Sequence, residues 1–468
     1  MALLIKGGEV VTAETRMRAD ILIEGETICE IGAGLAAPPG AEVIDAAGKL
    51  VFPGFIDPHV HIYLPYKDSF ARDTHTTASK AALVGGTTTY IEMAGPNRHE
   101  DALQGYNTWK QKAEGNSACD YAFHMTVARW DAATEAELRK IVADGTTSFK
   151  IYLAYKGLFG VTDEEMVQVL RLARSLGVVT TAHCENAEVV SRLQQQLLAE
   201  GKTGAEWHEP SRPESVEAEG TARFAKCLEQ TGAEGYVVHL SCAPALAAAV
   251  EAKQRGVKLH IESVLPQLLL DKTYAEQPGI EGYKYILSPP LRHERNHAAL
   301  WAALGEGQIE TVATDHCPFC MEQKMEGEKA FTQIPNGVPG IEDRVNLIYT
   351  YGVKRGRIDL HRFVDALSTR AAKIFGLYPK KGTIAVGSDA DIVVYDPQYQ
   401  GTISAAGQYT NNDYNCFEGW AIEGRPSIVT VRGKVQASDG RFVGEEGRGR
   451  LIRRVLQKGA GRKTVCAD

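Results

Sequence analysis

Eight short apolar segments, most of them followed by a helical pattern, constrain the fold more than any other feature of the sequence. They span residues 51–61, 88–93, 121–127, 148–152, 178–183, 236–240, 257–262 and 309–315. Their β-branched and aromatic residues are typical of buried strands. The clearest helix begins with a capping box from Thr162 to Glu165 and ends at Gly177. Strands that alternate with helices in this way predict an α/β fold, the (β/α)8 TIM-like barrel.

The two ends of the chain show a different sequence pattern. Short strand-like runs separated by glycine turns fill residues 1–50 and return in residues 377–440. We therefore expect one β-sandwich domain built from the N- and C-terminal segments, with the barrel at 51–376 between them. Residues 441–468 form a basic tail, for which we predict a contact with a neighbouring subunit.

Composition narrows the class of partner. With 51 basic and 59 acidic residues, the formal net charge of −8 argues against nucleic acid and leaves a small molecule as the expected substrate. No apolar stretch reaches the length of a membrane span or has the form of a signal peptide, which favours a cytoplasmic location. The nine cysteines form no disulfide framework, and Cys317 and Cys320 lack the second pair that a zinc ribbon needs.

Polar residues fall where the predicted barrel strands end, which is the active face of such barrels. His59 and His61 follow the first strand at a spacing that lets both imidazoles point to one side. The other members of the set are Lys150, His183, His239 and Asp315. Each of these alone could be a core residue or a loop carboxylate, but six together predict a metal site. Imidazole and carboxylate ligands suit zinc first, with manganese, cobalt or nickel as alternatives.

Lys150 is unusual because an ammonium inside an apolar strand beside metal ions is costly and favours the neutral amine. A neutral amine can react with carbon dioxide to give a carbamate, whose two oxygens can bridge two metal ions. The alternative is an ordinary lysine that reaches a carboxylate or solvent at the barrel mouth. Two bridged metals would lower the pKa of a bound water enough to give hydroxide at neutral pH. Asp315 would take a proton from this hydroxide and pass it to the leaving nitrogen.

These residues lie in motifs that resemble the dihydropyrimidinase and hydantoinase branch of the amidohydrolase superfamily. The motifs are Gly54-Phe-Ile-Asp-Pro-His-Val-His61, Ser148-Phe-Lys-Ile-Tyr-Leu-Ala-Tyr155, Ala182-His-Cys-Glu-Asn186, Val238-His239, Ser288-Pro-Pro-Leu-Arg292, Thr314-Asp-His-Cys317, Ile334-Pro-Asn-Gly337 and Lys381-Gly-Thr-Ile-Ala-Val-Gly-Ser-Asp-Ala-Asp391. The resemblance implies a barrel with a β-sandwich, two zinc ions bridged by a carboxylated lysine, and reversible opening of a cyclic amide. It also implies a homotetramer, with a dimer as the alternative.

The resemblance further implies a role for each residue. His59, His61 and Asp315 would hold the first metal, His183 and His239 the second, and Lys150 both. Tyr155 would stabilise the developing oxyanion. Without the resemblance, the simpler interpretation is an aromatic side chain that packs at the barrel rim. Main-chain groups of Ser288 and Asn336 would bind the amide and imide edge of the ring, although both positions also read as turns.

Substrate class is the point on which alternatives stay open. The favoured reaction converts a 5-substituted hydantoin or a dihydropyrimidine to an N-carbamoyl amino acid. Dihydroorotase is disfavoured because Tyr63 stands where that relative has a substrate-binding arginine, whereas allantoinase remains an enzymatic alternative. Loops after His61, near Met93 and around Leu158 are expected to shape the pocket. A non-catalytic scaffold of the same fold is the alternative from another class.

Overall fold

The computed structural model describes residues 2–455. Its strands are β1 (Ala2–Val11), β2 (Arg16–Glu24), β3 (Thr27–Gly32), β4 (Glu42–Asp45), β5 (Leu50–Pro53), β6 (Phe55–Val60), β7 (Pro65–Tyr66), β8 (Ser69–Phe70), β9 (Thr87–Ala94), β10 (Asp120–Thr126), β11 (Ser148–Lys156), β12 (Val179–His183), β13 (Glu234–Val237), β14 (Leu259–Val264), β15 (Thr311–Ala313), β16 (Ile392–Thr402), β17 (Ala421–Val431), β18 (Lys434–Ser438) and β19 (Arg441–Phe442).

Its α-helices are α1 (His75–Val84), α2 (Ala102–Ala113), α3 (Ala132–Ala143), α4 (Asp163–Leu176), α5 (Ala187–Ala199), α6 (Glu214–Thr231), α7 (Ala243–Gln254), α8 (Leu265–Leu269), α9 (Arg295–Gly305), α10 (Met321–Met325), α11 (Arg344–Ile348), α12 (Leu360–Val364) and α13 (Arg370–Phe375). The capping box predicted at the start of α4 is present, and Gly177 ends that helix in the left-handed conformation with φ 74°. Within residues 2–455, no helix has the length and apolar character needed to cross a membrane.

The eight predicted apolar segments form one parallel sheet in the order β6, β9, β10, β11, β12, β13, β14 and β15. Two hydrogen bonds join the ends of the first and last strands. The amide of Asp315 donates to the carbonyl of His59 at 3.0 Å, and the amide of His61 donates to that of His316 at 2.8 Å. The sheet is therefore a nearly closed eight-stranded barrel, which confirms the predicted fold class.

Both ends of the chain contribute to a second, nine-stranded sheet in the order β19-β18-β17-β16-β5-β1-β2-β3, with β4 also paired to β1. The antiparallel pair of β5 with β16 joins the two ends, and Val51 lies opposite Val394. Strand β1 is continuous, but its pairing with β2 shifts between Ile5 and Gly8, where Gly7 adopts φ 74°. The β domain built from both termini is thus confirmed, while its boundary residues stay a prediction.

The described part of the basic tail packs on its own barrel. The Tyr121 amide, in β10, donates to the Arg450 carbonyl at 3.0 Å, and the Ile452 amide donates back to the Tyr121 carbonyl at 2.8 Å. The guanidinium of Arg454 is buried and donates to the Ser148 hydroxyl at 2.9 Å. These contacts are intramolecular, and the predicted contact of the tail with a neighbouring subunit stays a prediction. Residues 456–468, where that prediction also falls, lie outside the described residues.

Candidate active site

Three predicted ligands meet where the first and last barrel strands end. His59 lies in β6, His61 directly follows that strand, and Asp315 follows β15. Nε2 of His59 lies 3.2 Å from Nε2 of His61, and Oδ1 of Asp315 lies 3.1 Å from each of these nitrogens. A His-His-Asp set of this kind is a common divalent-metal site.

A second group of donors lies beside the first. His183 ends β12 and His239 follows β13, and Nδ1 of His183 lies 2.9 Å from Nε2 of His239. The rings of His59 and His239 are 5.4 Å apart between centroids, so the two groups share one face of the barrel. The structure therefore brings five of the six predicted ligands into two adjoining clusters.

Buried carboxylates fix which ring nitrogens face each cluster. Nδ1 of His59 lies 2.7 Å from Oε1 of Glu262, and Nε2 of His183 lies 2.7 Å from Oε2 of Glu185. We assign the N–H to these nitrogens, which leaves the opposite nitrogens as lone pairs directed at the cluster. A divalent cation at each cluster would accept these lone pairs, together with one from His61 or His239 opposite. The donor set thus fits divalent metal ions.

Lys150 lies in β11 and is fully buried, and its Nζ has no hydrogen-bond partner among residues 2–455. The amine lies 4.9 Å from the centre of the Tyr152 ring. Burial lowers the pKa of Lys150 to about 8, although the negative charges of Asp315 and Glu262 act in the opposite direction. A buried amine without a partner is costly, so the position favours a chemical form other than a free ammonium.

The pKa of Asp315 is set by competing influences. Burial acts to raise it, but the imidazoles of His59 and His61 outweigh burial and hold the pKa of this carboxyl well below its usual range. Asp315 is therefore ionised at neutral pH and can accept a proton. Burial raises the pKa of the Tyr155 phenol, so Tyr155 carries its hydroxyl proton and can donate a hydrogen bond.

Three of these residues adopt the left-handed backbone conformation, which side chains other than glycine rarely occupy. The φ angles are 58° at Tyr155, 41° at His239 and 53° at Asp315. Each such residue costs about 1–3 kcal/mol and persists only where the surrounding structure imposes it. The barrel accepts this cost at three predicted site residues, and strain of this kind concentrates at functional sites.

A cavity of about 410 Å³ opens above the two clusters. Tyr155, Ser288 and Asn336 line it, as do all of the predicted ligands except His59, which lies deeper. Several apolar side chains also line it: Leu64, Leu158, Phe159, Phe319 and Ile334. The pocket therefore combines a polar floor with an apolar rim.

The remaining sequence predictions are placed as follows. Tyr63 packs against Phe70 with ring centroids 4.8 Å apart and does not line the pocket. Cys317 and Cys320 are both buried free thiols, and Cys317 lines the pocket beside Asp315. Neither cysteine contributes to the clusters of donors described above.

Sequence reasoning missed the residues that support the ligands. Glu262 contacts His59 and also accepts a hydrogen bond from the backbone amide of His239 at 2.9 Å. Arg212 forms an ion pair with Glu185 at 2.5 Å. Glu185 could have been found, because it lies two residues after His183 in a quoted motif. Nothing local in the sequence indicates Arg212.

Comparison with known proteins identifies the family. The model of the amidohydrolase family matches residues 50–436. The chain is 42% identical to the D-hydantoinase of Geobacillus stearothermophilus over 97% of each chain, and 38% identical to the dihydropyrimidinase of Rattus norvegicus over 97% of this chain and 88% of that one. The solved D-hydantoinase (dihydropyrimidinase) from Thermus sp. superposes with a TM-score of 0.96 at 70% identity, covering 97% of this chain and 99% of that one. This chain belongs to the dihydropyrimidinase and hydantoinase branch of the amidohydrolase family.

Proposed function

We propose that the protein is a metal-dependent cyclic amide hydrolase that opens hydantoins and dihydropyrimidines to N-carbamoyl amino acids. The observation that carries the proposal is the single pocket in which the donor clusters, Tyr155, Ser288 and Asn336 lie together. The names of the relatives support the substrate class. No observation above favours allantoinase or a non-catalytic scaffold.

We assign His59, His61 and Asp315 to one metal ion, His183 and His239 to a second, and a carboxylated Lys150 to both. Zinc is the proposed metal, with manganese, cobalt or nickel as alternatives. When bound, the ions would activate water for attack and polarise the scissile carbonyl. The buried amine of Lys150, which has no hydrogen-bond partner within residues 2–455, and the facing imidazole nitrogens support this assignment.

The protein's own groups would then move the proton and hold the ring. Asp315 would accept the proton of the attacking water and deliver it to the leaving ring nitrogen. The hydroxyl of Tyr155 would donate a hydrogen bond to the developing oxyanion. Main-chain groups of Ser288 and Asn336 would bind the imide edge, and the apolar rim, including Leu64 and Phe159, would receive the substituent on the ring carbon.

The test is the metal content per subunit, measured together with ring-opening rates on dihydrouracil, hydantoin, a 5-aryl hydantoin, allantoin and dihydroorotate. Close to two metals and turnover of the first three substrates are expected. Chelator-treated protein, before and after reconstitution with zinc and bicarbonate, is the matched control. Turnover of allantoin alone would show allantoinase, and protein inert on all five substrates after reconstitution would favour a scaffold.

The oligomer is part of the same proposal. We expect a homotetramer, with a dimer as the alternative, and the mass of the native protein in solution distinguishes them. The support for this expectation is the resemblance of the sequence motifs to the family.

A further inference from the structure

A second buried lysine, Lys324, lies near the pocket but outside both donor clusters. It belongs to α10, and its side chain has no exposed surface. Its Nζ donates hydrogen bonds to the carbonyl of Ile286 at 2.9 Å and to the carbonyl of Pro335 at 2.7 Å. Within the described part of the chain, no carboxylate forms an ion pair with it. The two carbonyls are therefore its principal partners.

Both carbonyls belong to segments that carry a proposed substrate contact. Ile286 lies two residues before Ser288, and Pro335 directly precedes Asn336. The amide of Gly337 also donates to the Ile286 carbonyl, at 3.0 Å, so that one oxygen accepts bonds from the second segment and from Lys324. Lys324 thus lies at the junction of the two segments and fixes their separation.

The same short helix also contacts a third wall of the pocket. The side-chain amide of Gln323 donates to the carbonyl of Phe70 at 3.0 Å, and the hydroxyl of Tyr66 donates to Glu326 at 3.3 Å. Tyr66 and Phe70 belong to the hairpin of β7 and β8, and Tyr66 lines the pocket. Helix α10 therefore connects the covering hairpin to the two segments beneath it.

A purely structural role does not explain why this residue is a lysine. Burying an ammonium costs several kcal/mol, and methionine would fill a similar volume without that cost. Burial lowers the pKa of Lys324 to about 7. The neutral amine still carries two N–H groups, enough for two carbonyls, so both hydrogen bonds can persist in either protonation state.

We propose that Lys324 is a positioning residue for ring recognition, which holds the main chain of Ser288 and Asn336 at the spacing that the imide edge of the substrate requires. This inference rests on the proposed function, because it assumes that these two segments bind the ring. Lys324 itself does not line the pocket, so it acts through the two segments.

The test is Lys324→Met, with Lys284→Met as the matched control. Lys284 precedes the same segment, and among the described residues its ammonium forms an ion pair with exposed Glu281. For Lys324→Met, kcat/KM on hydantoin and dihydrouracil should fall by about 10- to 100-fold, mostly through KM, because small misplacements of binding groups have effects of this size. Metal content should stay at the wild-type value, and the control should retain wild-type kinetics.

Two inhibitors separate positioning from general loss of structure. Succinimide presents an imide edge, whereas acetohydroxamate is directed at metal ions. In Lys324→Met the inhibition constant of succinimide should rise about as much as KM, and that of acetohydroxamate should stay unchanged. A folded variant that binds succinimide as tightly as wild type does would overturn the inference.

Wild-type protein provides a second measurement if Lys324→Met does not fold. A crystal structure with succinimide bound should show its imide group on the main chain of Ser288 and Asn336, with both Lys324 hydrogen bonds in place. Succinimide bound elsewhere, or Lys324 Nζ withdrawn from both carbonyls, would overturn the inference. Failure of the proposed function looks different, because wild-type protein itself would then not turn over any ring substrate.

Discussion

Lys150→Ala is the most direct perturbation of the proposed chemistry, because this buried amine has no hydrogen-bond partner in the described part of the chain. A pKa of about 8 makes about a quarter of the amine neutral at pH 7.5, against about 0.1% for an ordinary lysine with a pKa of about 10.5. Burial thus increases the neutral form by roughly two orders of magnitude. Under the proposed function, this neutral amine is the form that would react with carbon dioxide.

The variant should lose two-metal binding and more than 100-fold in activity, because loss of residues that merely support metal ligands already costs about 10- to 100-fold. Propionate, a short carboxylate, should restore part of the activity of the variant while leaving the wild type unaffected. Metal analysis and ring-opening rates on hydantoin measure both effects. Near-normal activity with two metals in Lys150→Ala would refute the bridging role.

Wild-type protein gives an independent check on the same reasoning. Protein stripped of metal and carbon dioxide should recover activity faster as pH rises, because only the neutral amine reacts. At constant dissolved carbon dioxide and excess zinc, the recovery rate should reach half of its maximum near pH 8, the pKa of Lys150. A half-point near pH 10.5 would show that burial does not activate this lysine.

Two further predictions concern residues outside the predicted ligand set. Glu185→Ala removes the hydrogen-bond partner of His183 Nε2 and should lower the affinity for the proposed second metal ion by about 10- to 100-fold. Chelator competition measures this affinity, and an unchanged value would contradict the prediction. Burial acts to lower the pKa of His260, but hydrogen bonds to Glu234 and Glu310 raise it to about 9. His260→Gln should therefore cost about 2 kcal/mol of unfolding free energy at pH 6, and this difference should vanish as pH rises through about 9. Denaturant titrations at pH 6 and pH 10 measure it, and an equal difference at both values would be inconsistent with the ion pairs.

The barrel and its ligands could be predicted because their signals are local. Each strand is a short apolar run, and each proposed ligand lies at or near the end of such a run, so the topology brings them to one face. The carboxylate partners could not be predicted in the same way. Glu262 is separated from His59 by 203 residues, and only the closed barrel brings them into contact.

The basic tail shows what a charge pattern alone does not reveal. Arg454, within the tail, is buried against the barrel of its own chain and donates to Ser148. A positive charge in a sequence does not reveal whether its partner is a carboxylate, a carbonyl or another subunit. Lys324 illustrates the same limit, because its partners are two main-chain carbonyls that any sequence would supply.

The pairing of β5 with β16 has a consequence for synthesis of the chain. Val51 lies opposite Val394, and at about 5–20 residues per second the ribosome delivers the second of these strands about 20–70 s after the first. During that interval the edge of β5 has no partner, and unpaired edges promote aggregation. Fragments that contain the whole barrel but end before Ile392 should therefore aggregate. Expression screens of this protein should keep both ends of the chain.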